Sequence, residues 1–154
     1  MNKRGRGIGL IFLLIVTTGI VIMLYFLMKE PPPEDQAKEA VNTFYTYEQD
    51  GAFSESWAMF HPLMQEKFTK GGYIQDRAHV FMNHFGVVTF TYTLGEAVKV
   101  LNWEIEDGAD PIPTVYGVTV TQDYKSKYGN FSIVQDVYAT VVDDKWKIIW
   151  NYKK

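Results

Sequence analysis

The chain has 154 residues and no cysteine, 47% apolar and 16% aromatic side chains, and 15 basic against 18 acidic residues for a net charge of −3. The missing cysteines exclude disulfides, thiolate metal sites, thiol catalysis and lipid attachment through an N-terminal cysteine, and the acidic balance argues against a nucleic-acid partner. So many apolar side chains can bury a core, which excludes disorder as the explanation of the chain.

Residues 1–7 form a basic tail with Lys3, Arg4 and Arg6. From Ile8 to Met28 the sequence is uncharged and apolar, softened at Gly9, Thr17, Thr18, Gly19 and Tyr25. At about 1.5 Å per residue a helix of this length covers roughly 30 Å, the thickness of a bilayer's hydrocarbon core. The expectation is a single transmembrane helix over 8–28, held in membrane lipid. Basic residues precede the run and only Lys29, beside Glu30, follows it. That asymmetry places the N-terminus in the cytoplasm and the rest outside the plasma membrane. A cleaved signal peptide is the rival reading, but its apolar region is usually about 7 to 15 residues long, and no small-x-small pattern follows Met28. The Gly5-x3-Gly9 spacing sits among arginines at the membrane edge and reads as flank, not as a helix-pairing face.

Residues 29–34 contain Pro31, Pro32 and Pro33, a stiff spacer in polyproline II form and too brief to read as a proline-recognition ligand. Asp35 then opens an amphipathic helix over about 35–49. Ala37, Ala40, Val41, Phe44 and Tyr47 are expected inside, with Lys38, Glu39, Asn42 and Glu48 on the polar face and Asp50-Gly51 as the stop. A second helical stretch capped by Ser54 points Trp57, Phe60, Leu63, Met64 and Phe68 inward, bends or breaks at Pro62, and ends before Gly71-Gly72. The third runs from Tyr73 to Phe85, with Ile74, Ala78, Phe81, Met82 and Phe85 on one side and Gln75, Asp76, Arg77 and His79 on the other.

Beyond Gly86 the hydrophobic period becomes two. Val88, Phe90, Tyr92 and Leu94 alternate with threonines, and Ala97, Leu101, Trp103 and Ile105 follow after Gly95, which reads as a bulge, a bend or a join. Thr114 to Lys125, Phe131 to Val142 and a closing run with Trp146, Ile148, Trp150 and Tyr152 complete a meander of four or five antiparallel strands. Phe44, Trp57, Phe81, Trp146 and Trp150 are the expected large core side chains. Three helices followed by hairpin-connected strands give an α+β domain over 35–154, its helices on one face of a curved antiparallel sheet.

The Phe44-x5-Asp50-Gly51-x-Phe53 helix-turn-helix with Trp57 after it, His61-Pro62, and the closing Asp144-Lys145-Trp146-Lys147-Ile148-Ile149-Trp150 carry a resemblance in pattern. Over about Asp35 to Tyr152 the chain resembles the nuclear transport factor 2-like superfamily, whose fold is a cone. Within it the similarity is to small extracytoplasmic domains of Gram-positive bacteria, such as the non-catalytic N-terminal domain of some penicillin-binding transpeptidases. No transpeptidase domain follows here, so the resemblance implies a membrane-anchored accessory or interaction module. Its partners would be other cell-envelope or membrane proteins, with a homo-oligomer left open, and it needs no cofactor.

Enzymes and binders also use this cone, placing acids, bases and phenols inside it. The candidates are Tyr47, His61, His79, His84, Asp123 and Asp136. His79 and His84 lie about 140° apart on one helix, poor geometry for sharing a metal. His61, before Pro62, reads first as a capping or packing side chain. Asp136 falls in parity with Val134 and Tyr138, facing either a cavity or a partner on the outer face. Glu104, Glu106, Asp107 and Asp110 crowd one loop without the spacing of a known calcium loop. Asn130-Phe131-Ser132 is a glycosylation acceptor pattern, meaningful only in a eukaryotic host. Two function classes stay open: an interaction module whose cone is plugged by its own aromatics, and a small-ligand binder or enzyme with an open pocket.

Overall fold

The computed structural model describes residues 3–79, 86, 87 and 89–151, with side chains in the first helix described for 13–25 and Met28. Phe81, His84 and Tyr152 therefore lie outside the described residues. The chain divides into two compact units, Met1–Pro32 and Pro33–Lys154. The first is one continuous helix, α1 (Lys3–Met28), whose side chains from 13 to 25 are all exposed. Among the described residues no helix is long and apolar enough to cross a membrane.

In the second unit the helices come first: α2 (Pro33–Gln49), α3 (Phe53–Met59), α4 (Pro62–Lys67) and α5 (Lys70–Arg77). α2 starts two residues before Asp35 because proline needs no backbone donor in a first turn, where Glu34 and Asp35 also complement the helix dipole. Its buried stripe is Ala37, Ala40, Val41, Phe44, Tyr45 and Glu48. The expected pair is thus exchanged: Tyr47 is half-buried, while Glu48, assigned above to the polar face, is 3% exposed. Spacings of four, three and four from Ala37 through Val41 and Phe44 lead to Glu48, so the helical period placed it and the charge concealed it. Gly51, at φ 72, supplies the left-handed stop.

The second expected helix is broken, not bent, at Pro62. His61 is the N-cap of α4, its Nδ1 accepting from the Leu63 N–H at 3.2 Å, and Pro62 takes the first helical position. The break is pinned to the last strand, where the His61 N–H donates to the Ile148 carbonyl at 2.9 Å. Gly71 and Gly72, expected to end a helix, instead lie in the first turn of α5, because the Thr69 hydroxyl caps that turn through the Gly72 N–H. Four helices, not three, are described in this unit.

The strands are β1 (Phe90–Leu94), β2 (Val98–Trp103), β3 (Ile112–Ser126), β4 (Gly129–Val142) and β5 (Lys145–Trp150), all antiparallel. β2 to β5 form the expected meander. β1 departs from it, pairing with the far half of β3 (Phe90 opposite Tyr124), while β2 pairs with the near half (Val98 opposite Gly117). Gly95 is the join between them, its N–H donating to the Thr119 carbonyl. The architecture is α+β with an open antiparallel sheet, α2 packing against β1, β3, β4 and β5.

Between helices and sheet the interior is filled with rings. Phe60 is 4.9 Å from Trp150, 5.1 Å from Tyr73 and 5.2 Å from Phe44, centroid to centroid, separations at which edge-to-face pairs add to the burial energy. Phe44 is fully buried, whereas Trp57, Trp146 and Trp150 are half-buried and packed on the core's margin. A smaller cluster covers the opposite face. There Tyr138 lies over Gly117, where a Cβ would come within 3.0 Å of its ring, and Trp103 packs on Tyr138 at 4.4 Å.

Candidate functional site

The most unusual group in the core is Glu48, whose side chain has no exposed surface. A buried carboxylate is tolerated only when paired and hydrogen-bonded, and three side chains from two helices meet that demand. Ser56 of α3 and Tyr73 of α5 each donate to Glu48 Oε1 at 2.5 Å, and Arg77, one turn beyond Tyr73, brings Nη2 to Oε2 at 2.5 Å. Tyr73 and Arg77 share a face of α5 because they are four residues apart. Arg77 was expected on the polar side of its helix with His79; it is half-buried, drawn inward by the carboxylate.

The sheet closes the cluster. Tyr124, 1% exposed, donates to Gln122 Oε1 at 2.6 Å and lies against the Arg77 guanidinium. Burial pushes its phenol up to about 12, with the charge of Arg77 opposing the shift. Burial also raises Tyr73 and Tyr45, in both cases with a contribution from the Glu48 charge. Burial alone would lower the Arg77 pKa, but the negative charge of Glu48, its hydrogen bond to the guanidinium and the neighbouring Tyr73 and Tyr124 together hold the guanidinium above its ordinary value. All three phenols therefore stay protonated and Arg77 charged. The cluster is an ion pair in a shell of hydroxyl groups.

A cavity of about 440 Å³ opens over this cluster at the C-terminal end of α2. Glu48, Arg77, Tyr124, Val87 and Phe90 are its deep residues; Asp50, Gly51 and Thr89 are exposed at its rim, with Gln49 and Phe53 between. The rim is latched: Gln49 Nε2 donates to the Phe90 carbonyl at 2.6 Å and the Thr89 hydroxyl to the Gln49 carbonyl at 2.9 Å. A second hollow, of about 510 Å³, lies at the other end of α2 among Pro33, His61, Ile112, Tyr116, Val141 and Trp146. It is the larger of the two, and among the described residues His61 is the imidazole that lines it. Burial, with the Lys147 charge, holds His61 below its ordinary pKa of 6.5.

Among the described residues, none of the candidates named from the sequence lines the cavity over Glu48. Tyr47 is half-buried beside it in sequence, His61 caps α4 and lines the other hollow, and His79 is exposed beyond α5. His84 lies outside the described residues. Asp136 is exposed on the sheet face away from the helices and accepts from the Thr119 hydroxyl at 2.7 Å, while Asp123 accepts from Ser132 at 2.5 Å. Both aspartates have hydroxyl partners across β3 and β4, not lysines. Among the described residues no cluster of three acidic or imidazole side chains is placed to hold a metal. Glu48, Ser56, Tyr73, Arg77 and Tyr124 were not among the site candidates, although the position of Glu48 on an apolar stripe was a readable signal that a cation had to be found for it. No protein-family model matches the chain, and no curated protein does.

Proposed function

We propose that this protein is a single-pass membrane-anchored module, N-terminus cytoplasmic and the domain from Pro33 outside, that assembles with other proteins of a cell envelope and performs no chemistry of its own. The observation that carries the reading is the N-terminal helix. Its apolar sequence from Ile8 to Met28 lies within the unbroken α1, is followed by exposed prolines at 31 to 33, and is long enough, at about 20 residues, to span a bilayer. Tethering of this kind raises the effective concentration toward membrane-bound partners, a second copy of the chain included. The ring-filled interior supports a non-catalytic role, as does the resemblance to the cone of the nuclear transport factor 2-like superfamily.

Tyr128 at the β3–β4 turn is 77% exposed, and the chain has no cysteine of its own. Tyr128→Cys should react with a membrane-impermeant maleimide in intact cells, and protection until lysis would overturn the topology. A photo-crosslinking residue at the same position should give a discrete adduct from the anchored chain that is lost when residues 1–32 are replaced by a cleavable leader. An adduct that persists after release would overturn the tethered-assembly reading. One observation favours a second reading, a small-ligand binder: the cavity over Glu48 and Arg77, of a size found for small-molecule sites and floored by convergent polar groups.

A further inference from the structure

Resting on that second reading, we infer that the cavity at the end of α2 takes an organic cation, an amine carried on a small apolar body. Its charged lining among the described residues is Glu48, Asp50 and Arg77, two negative against one positive. Arg77 and Glu48 neutralise each other at 2.5 Å, so the charge that an entering molecule meets is Asp50, exposed at the rim beside Gly51. An anion of any kind enters against that excess. It could take Arg77 for itself only by leaving Glu48 buried without its cation, the costliest rearrangement available here.

The walls complement the charge. Phe53, Phe90 and Tyr124 line the same space, and Phe90 and Tyr124 are packed together with their centroids 5.2 Å apart. Aromatic surface receives an apolar body, and its negative ring faces attract an ammonium. A carboxylate at the mouth and aromatic walls within favour an amine over the neutral molecule of the same shape. The volume of about 440 Å³ falls within the roughly 300 to 1,000 Å³ of small-ligand sites.

The test is calorimetric titration of the full chain in phosphatidylcholine nanodiscs with three probes of similar shape: 2-phenylethylamine, 2-phenylethanol and 3-phenylpropanoate, each against empty nanodiscs. The amine should bind saturably and about tenfold more tightly than the alcohol, with no saturable signal from the carboxylate. Asp50→Asn, at an exposed position and with folding checked by circular dichroism, should weaken the amine about fivefold, the upper range for an exposed ion pair, and leave the alcohol unchanged. Alcohol or carboxylate binding as tight as the amine, or amine affinity unchanged in Asp50→Asn, would overturn the cation assignment while the cavity still stood as a binding site. Absence of binding by all three probes would overturn both.

Discussion

Glu48 and Arg77 illustrate how a charge can be held in a core and what its removal reveals. Glu48→Gln leaves the Arg77 guanidinium beside a neutral amide in a site with little water, and breaking one side of a buried pair costs about 3 to 5 kcal/mol. Tyr73→Phe removes one donor to a charged acceptor and should cost about 1.5 to 3 kcal/mol. The two contributions differ in kind: replacing both ions together, Glu48→Leu with Arg77→Met, removes the desolvation penalty with the attraction and should be more stable than either single change. Urea midpoints of these variants check this, and a double variant less stable than Glu48→Gln would show that the pair stabilises the fold outright. His61 has a different signature. Its folded pKa lies below the ordinary 6.5, through burial and then the Lys147 charge, so the unfolded chain takes up its proton first. The His61 contribution is intact above about pH 6.5 and is lost as the pH falls from there toward the folded value. His61→Asn keeps a side-chain acceptor at the N-cap but cannot titrate. Between pH 7.5 and 5 its urea midpoint should fall less than that of the wild type, and equal falls would assign the acid sensitivity elsewhere.

At the scale of elements, what was legible in the sequence was whatever a single period or a single turn residue determines. The alternation in β1, β3 and β4 grouped side chains by face, Asp136 with Val134 and Tyr138, but parity left open whether that face was a cavity or the outside; the structure places Asp136 and Val134 exposed. Pro62 announced a break, but that the break would be held by Ile148 depends on a strand about 90 residues later, and no local pattern carries that. The same limit applies to β1, whose pairing with the far half of β3 leaves Gly95 as a join instead of a bulge. The β4–β5 turn makes a sharper case. Asp143 and Asp144 have φ of 49 and 59, the double left-handed conformation of the two-residue hairpin that prefers Asp-Gly or Asn-Gly. Aspartate is tolerated there at some strain, because its short polar side chain clashes less than most. Asp144→Gly relieves that strain against glycine's larger loss of backbone freedom and should raise stability by about 0.5 to 1 kcal/mol. An unchanged or lower thermal midpoint would mean that the Asp144 side chain contributes more than its backbone costs.

For the whole molecule the decisive relation is between chain order and core. The rings around Phe60 come from α2, from the end of α3, from α5 and from the last residue of β5: Phe44, Phe60, Tyr73 and Trp150. The first helix of the domain and its final strand thus share one cluster, which is complete only when Trp150 of the last strand is in place. The sequence marked Phe44, Phe60 and Trp150 as core, but not Tyr73, and not that Trp150 would sit half-buried at the margin with four rings within 6.0 Å of its own: Phe44, Phe60, Phe68 and Tyr73. Partial exposure lowers the burial energy, whereas the shared ring contacts raise the cost of removal, because each neighbour loses a partner as well. Trp150→Ala is therefore expected to cost about 3 kcal/mol, the low end for a large core aromatic, and Phe44→Ala, from a site with no exposure, about 5 kcal/mol. Against a total of about 5 to 15 kcal/mol for a domain of this size, either loss should move the urea midpoint strongly while the slope stays that of the wild type, since the same cooperative unit unfolds. If Trp150→Ala instead unfolds at the wild-type midpoint, β5 is not joined to the helices through this cluster. If it unfolds with a lower slope, the helices and the sheet are separable units, and the ring cluster is a contact between them and not the centre of one core.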